Sequence, residues 1–216
     1  MTRRSRAAYI LSLGLLPLLG VLVVRVALAA ESTPARAAVY FSPKGGATDA
    51  VVREINAAGQ QILVQAYSFT SAPIAKALAD AHKRGVPILA VLDKSNETDK
   101  YSAATFLVNA GIQTLIDDQH AIAHNKVMVI DSATVITGSF NFTKAAEEHN
   151  AENLLVITDA PALVQAYAAN IQAHVAHAHP YTRSRAGASA PVVPLADASG
   201  DVHGNRNSKV YRVLGC

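Results

Sequence analysis

His124-Asn125-Lys126-Val127-Met128-Val129-Ile130-Asp131, followed after a short turn by Thr134-Val135-Ile136-Thr137-Gly138-Ser139-Phe140-Asn141, is the stretch from which the rest of the chain can be read. Two runs rich in β-branched residues, 126–130 and 134–138, flank the turn and predict neighbouring strands. Side chains two apart on a strand share a face, so His124 and Lys126 project together; Ser139 and Asn141 do the same just past the second strand. Neighbouring strands lie about 4.8 Å apart, so hairpin pairing gathers an imidazole, an ammonium, a hydroxyl and an amide into one phosphate-sized cluster.

Working outward, further strands are expected at 38–41, 62–66, 88–92, 114–116 and 153–158, with helical patterns between them. Helices are expected at 48–58; at 71–84, with Ser71 as cap and Pro73 in the first turn; and near 98–110, ending at Gly111. A last helix starts around Pro161, its Leu163, Tyr167 and Ile171 forming a stripe suited to packing on a sheet. Alternating strands and helices predict an α/β fold: a central mixed β-sheet flanked by helices on both faces, in a single domain over residues 30–180.

The ends differ in character. Arg3, Arg4 and Arg6 precede an apolar run from about Ile10 to Val24 and an Ala27-x-Ala29 site, the layout of a secretory signal over residues 1–29, with an uncleaved anchor as the rival reading. An exported protein, periplasmic or secreted, is expected. After Pro180 the Ala, Gly, Ser and Pro content reads as a flexible tail over 181–216. Its end, from Gly204, resembles the opening of a small Cys- and His-containing module, with Arg212 where a histidine would be expected. Cys216 is the single cysteine, so no internal disulfide framework exists.

The net charge of +3 is carried by these ends. Residues 30–180 hold 10 Lys and Arg against 14 Asp and Glu, so bulk charge gives no argument for nucleic-acid binding and any phosphate site is local.

The residue types in the cluster suit phosphoryl chemistry. A neutral histidine nitrogen attacks phosphorus, while an ammonium and hydroxyl or amide donors neutralise the phosphoryl oxygens as charge builds. No cofactor or metal is needed for that. A carboxylate on the far ring nitrogen would hold the tautomer, and Glu152 is the candidate. Asp131, at the strand's end, either takes part or hydrogen-bonds the turn and supports the site.

HxKxxxxD followed by GSxN resembles the signature of the phospholipase D superfamily, and GSFNFTKAAEEHNAEN at 138–153 resembles the Nuc-type endonucleases. Tyr67-Ser68-Phe69-Thr70 and the following helix are also similar to that family. The resemblance implies His124 as nucleophile, Lys126, Ser139 and Asn141 as phosphate ligands, and Glu152 as the partner of His124. It also implies two HxK motifs per active site, whereas this chain carries one. Two chains would then pair about a two-fold axis as a homodimer, with each His124 in a different role. The expected substrate is nucleic acid, DNA first and RNA second. A membrane-associated lipid hydrolase and a binding module without turnover are the alternatives, and no stable membrane partner is expected unless the N-terminal segment stays uncleaved.

Other features have plainer readings. His120 and His124 could form a helical metal pair, but Asp117-Asp118 before them and the β-branched run after them predict loop and then strand. His174, His177 and His179 suit the C-terminus of the last helix as cations, with metal binding the alternative. Glu147, Glu148 and His149 read as a solvated turn. Phe69, Phe140 and Phe142 are candidates for base stacking or for core packing; alternation with Ser139 and Asn141 points Phe140 inward.

Overall fold

The computed structural model describes residues 34–182 and the backbone of two short strands further on. Strands β1 (Arg36–Ser42), β2 (Ile62–Ala66), β3 (Ile88–Asp93), β4 (Gln113–Asp117), β5 (Lys126–Ile130), β6 (Thr134–Gly138), β7 (Glu152–Thr158) and β8 (His179–Pro180) carry the fold. Helices α1 (Ala47–Ala57), α2 (Ala72–Lys83), α3 (Ser95–Thr98), α4 (Ala104–Asn109), α5 (Lys144–Glu148) and α6 (Pro161–Val175) connect them. The strands form an 8-stranded sheet in the order β1-β7-β6-β5-β2-β3-β4-β8. β2, β3 and β4 run parallel and the other pairings are antiparallel, so the sheet is mixed, as expected.

Both faces are covered, which is why β2 and β5 are buried at every residue instead of alternating. On one face Val64, Met128 and Ile136 pack with Val51 and Ile55 of α1, Ile74 and Leu78 of α2 and Leu107 of α4. On the other Leu63, Val91, Leu115, Val127, Val129 and Val135 pack with Val164 and Ile171 of α6. The three parallel strands end at the edge where antiparallel β5 begins. Register therefore sets Ala66 beside Lys126, and Asp93 beside Asp117, along one rim.

Three local expectations are corrected. The helix expected near 98–110 is confined to α4, Ala104–Asn109, and a separate short helix, α3, ends at Thr98. Asp99 Oδ1 accepts from Tyr101 N and Ser102 Oγ accepts from Ala104 N, and such local side-chain bonds compete with a continuous helix. On α6 the buried residues are Val164 and Ile171, two turns apart, while Leu163 is 36% exposed one residue off that stripe. Ser71 does occupy the N-cap of α2, but its side chain makes no capping bond.

Within the stretch expected to be a tail, β9 (Val202–Asn205) pairs antiparallel with β10 (Val210–Val213). The expected signal segment lies outside the described residues, as does Cys216. Among the described residues no helix is long and apolar enough to cross a membrane.

Candidate active site

Lys126 opens β5 and is 5% exposed, an unusual place for an ammonium. Its Nζ donates to the His124 carbonyl at 2.6 Å and lies 5.1 Å from the centre of the Tyr67 ring. An ammonium has three donors, so capacity remains for phosphoryl oxygens. Burial lowers the Lys126 pKa, and the negative charge of Glu152 opposes that shift. Where an unpaired buried cation is costly, an incoming phosphate is the natural counter-charge.

His124 is exposed, two residues before the start of the strand. Its ring packs 4.5 Å from the Tyr67 ring, centre to centre, and Tyr67 N donates to the Asn125 carbonyl at 2.8 Å. The loop before it is fixed by Asp93, buried at the end of β3, whose Oδ2 accepts from Ala123 N at 2.7 Å. Sequence reasoning gave Tyr67 and Asp93 no role. Tyr67 was visible as part of the YSFT resemblance; nothing local marks Asp93, whose partner lies 30 residues on.

Ser139 and Asn141 follow β6. Met128 pairs with Ile136 and Ile130 with Thr134; continued, that register sets Lys126 opposite Gly138, next to Ser139. Gly138 has φ 146°, and a Cβ there would stand 2.3 Å from the Asn153 carbonyl oxygen, so only glycine lets β6 meet β7 this closely. Ser139 Oγ, exposed, accepts from Asn153 N at 3.0 Å and keeps its own proton to donate. Asn141 Oδ1 is buried without a hydrogen-bond partner among the described residues. A half-turn of the amide would put its NH2 there, a donor that a phosphoryl oxygen can accept.

Two expected members stand apart. Glu152 begins β7, separated from β5 by β6, and so by two strand spacings or about 10 Å. Its Oε1 accepts from Asn150 Nδ2 at 3.1 Å, it makes no hydrogen bond to His124, and its negative charge acts to raise the Lys126 pKa. Asp131 lies at the far end of β5, roughly 17 Å along the strand from Lys126. Its carboxylate accepts from the backbone N–H groups of Gly59, Gln60 and Gln61 at 2.8, 2.7 and 2.9 Å. Asp131 is thus removed from the catalytic set and ties the β5–β6 turn to the start of β2. Burial acts to raise its pKa, but the three backbone bonds outweigh it and the carboxyl sits below its ordinary value.

Phe69, Phe140 and Phe142 are fully buried, so none is placed to stack on bases. Phe69 and Phe142 instead meet edge to face at 5.9 Å. Glu147 is not a solvated turn residue either: its carboxylate accepts from Gly46 N and Thr48 N and caps α1, which has no side-chain cap of its own. The cavity of about 820 Å³ beside α2 and α4, lined in part by Ser71, Tyr101 and Phe106, touches none of the cluster.

An imidazole and a buried ammonium beside a GSxN turn at one rim of a mixed sheet are the layout of the phospholipase D class. A family model described as cardiolipin synthase, PLD-like domain, matches residues 51–175, and the chain belongs to the phospholipase D superfamily. It is of the Nuc type: the crystal structure of Nuc from Salmonella typhimurium, a phospholipase D family member, is 40% identical with a TM-score of 0.66, and the match covers 70% of this chain and 100% of that one. Phospholipase D of Rickettsia conorii is 43% identical over 129 residues, 60% of this chain and 64% of the relative. Mitochondrial cardiolipin hydrolase of Xenopus laevis is 35% identical over 101 residues, 47% of this chain and 48% of the relative. The chain thus spans less than two thirds of the length of these curated relatives.

Proposed function

We propose that this chain is an exported phosphodiesterase that cleaves nucleic acid, DNA first and RNA second, through a phosphohistidine on His124 and without a metal in the reaction. The observation that carries this reading is Lys126, an ammonium buried at the β5 end with one backbone acceptor, set by register beside the Ser139 turn. His124 attacks phosphorus. Lys126, the Ser139 hydroxyl and the Asn141 amide hold the phosphoryl oxygens as charge builds. Glu152 supplies the negative charge that keeps Lys126 protonated. The leaving oxygen needs a proton donor, and the single HxK motif in this chain assigns that role to His124 of a second copy in a homodimer. The exposure of His124 suits a group that meets its counterpart across an interface.

The nucleic-acid reading rests on likeness to Nuc and on the 138–153 stretch. The second reading, a lipid phosphodiesterase, is favoured by the names of the Rickettsia and Xenopus relatives. A plasmid-nicking assay run beside hydrolysis of phosphatidylcholine and cardiolipin vesicles, all in excess EDTA, separates them. Nicking by wild type and none by His124→Asn is the expected result. Lipid hydrolysis without nicking would move the chain to the second reading. Nicking that requires magnesium and survives His124→Asn would contradict the mechanism, and wild type inert in both assays, with EDTA and without it, would make the chain a binding module.

A further inference from the structure

Three rim strands away from the HxK motif, the fold assembles a group that the reaction does not use. Asp117, the last residue of β4, is fully buried at its side chain, yet its carboxylate faces three imidazoles. His174 Nδ1 lies 2.6 Å from Oδ2, His120 Nδ1 lies 3.1 Å from the same oxygen, and His177 Nε2 lies 3.3 Å from Oδ1. The three rings form a near-even triangle, with centres 4.9, 5.4 and 5.5 Å apart. One ligand atom from each of the four residues falls within 4.8 Å of all the others.

Helix-end solvation does not account for this arrangement, because the His174 side chain is only 12% exposed and points at a buried acid. A proton network leaves it incomplete as well. One carboxylate balances one imidazolium, and His177 Nε2 stays buried without a properly directed hydrogen bond. Burial acts to raise the Asp117 pKa, but hydrogen bonds from His174 and His120 outweigh it and bring the carboxyl down to about 2.

We propose that Asp117, His120, His174 and His177 form a closed site for a divalent transition metal of the zinc class. Three imidazole nitrogens and one carboxylate oxygen are a borderline donor set suited to four-coordinate zinc. Bonds of about 2.0–2.2 Å put tetrahedral ligand atoms roughly 3.3 Å apart, so small side-chain rotations close the present cluster around an ion. Asp118 and Glu97 lie near by through His179, while Lys94, whose Nζ donates to the His120 carbonyl, is the opposing charge. A closed shell leaves no open position for chemistry, so the ion's work is to fasten the C-terminal end of α6 to β4 and to the loop that leads to His124.

The test is zinc binding by the full, untagged chain after chelator treatment, followed by competition with a chromophoric chelator, with activity not used as a readout. A single zinc equivalent per chain is expected. Asp117→Asn and His174→Ala should each weaken it by more than about 100-fold, beyond the loss that removal of an outer partner causes, while His179→Ala keeps it. Equal zinc uptake by wild type and His174→Ala, or none by wild type, overturns the site in favour of a proton-linked network. If either variant fails to fold, cobalt(II) added to wild type still decides: strong visible bands of four-coordinate cobalt are expected, and the weak bands of a six-coordinate ion would overturn the proposal.

Discussion

Lys126 and Asp131 sit in one HxKxxxxD motif yet do separate work, and each can be tested alone. Because burial lowers the Lys126 pKa, the ammonium that binds phosphate is lost at a lower pH than for an ordinary lysine at 10.5. The alkaline limb of kcat/KM, which reports the free enzyme, should therefore fall below pH 10.5 and vanish from the accessible range in Lys126→Arg, whatever activity that variant keeps. A limb at or above the ordinary lysine value would contradict the buried role. Asp131→Ala should cost about 1–3 kcal/mol of stability, since three backbone donors lose their acceptor, yet leave kcat nearly unchanged. Its folded pKa is depressed, so the stability it adds is complete above the ordinary value of 3.8 and is lost as pH falls through the folded value. Denaturant midpoints of wild type and variant should accordingly converge in acid; a large fall in kcat with unchanged stability would return Asp131 to the catalytic set.

At the scale of elements, the strand pair β5–β6 was legible because two runs rich in β-branched residues flank a short turn, and the two-residue spacing of side chains on a strand then puts His124 and Lys126 on one face. What lay outside local pattern was missed. The acceptors and donors around Asp131 are 70 to 72 residues apart in sequence, and His174 reaches Asp117 across 57. The break between α3 and α4 was hidden for the opposite reason: side-chain bonds at Asp99 and Ser102, too local for hydrophobic periodicity to register, end one helix and start the next. The glycine of GSxN shows how an element positions the site. Gly138→Ala meets the Asn153 carbonyl at 2.3 Å and a φ unsuited to a side chain, so it should cost about 2–4 kcal/mol and shift Ser139. A midpoint shift in chemical denaturation, with KM raised more than kcat is lowered, is the expected pattern; wild-type stability would mean that β6 and β7 do not meet as described.

At the scale of the whole molecule, the mixed sheet with helices on both faces followed from the alternation of elements, and the family follows from motif, fold and likeness together. Assembly is the claim on which the proposed chemistry turns, since one chain offers one HxK motif and the reaction needs both an attacking and a protonating histidine. The direct measurement is activity in mixtures of wild type with His124→Asn, unfolded together and refolded so that pairing is random. Each mixed dimer then lacks either nucleophile or acid, so activity should fall as the square of the wild-type fraction. A linear fall would show that each chain works alone and would contradict the two-chain active site.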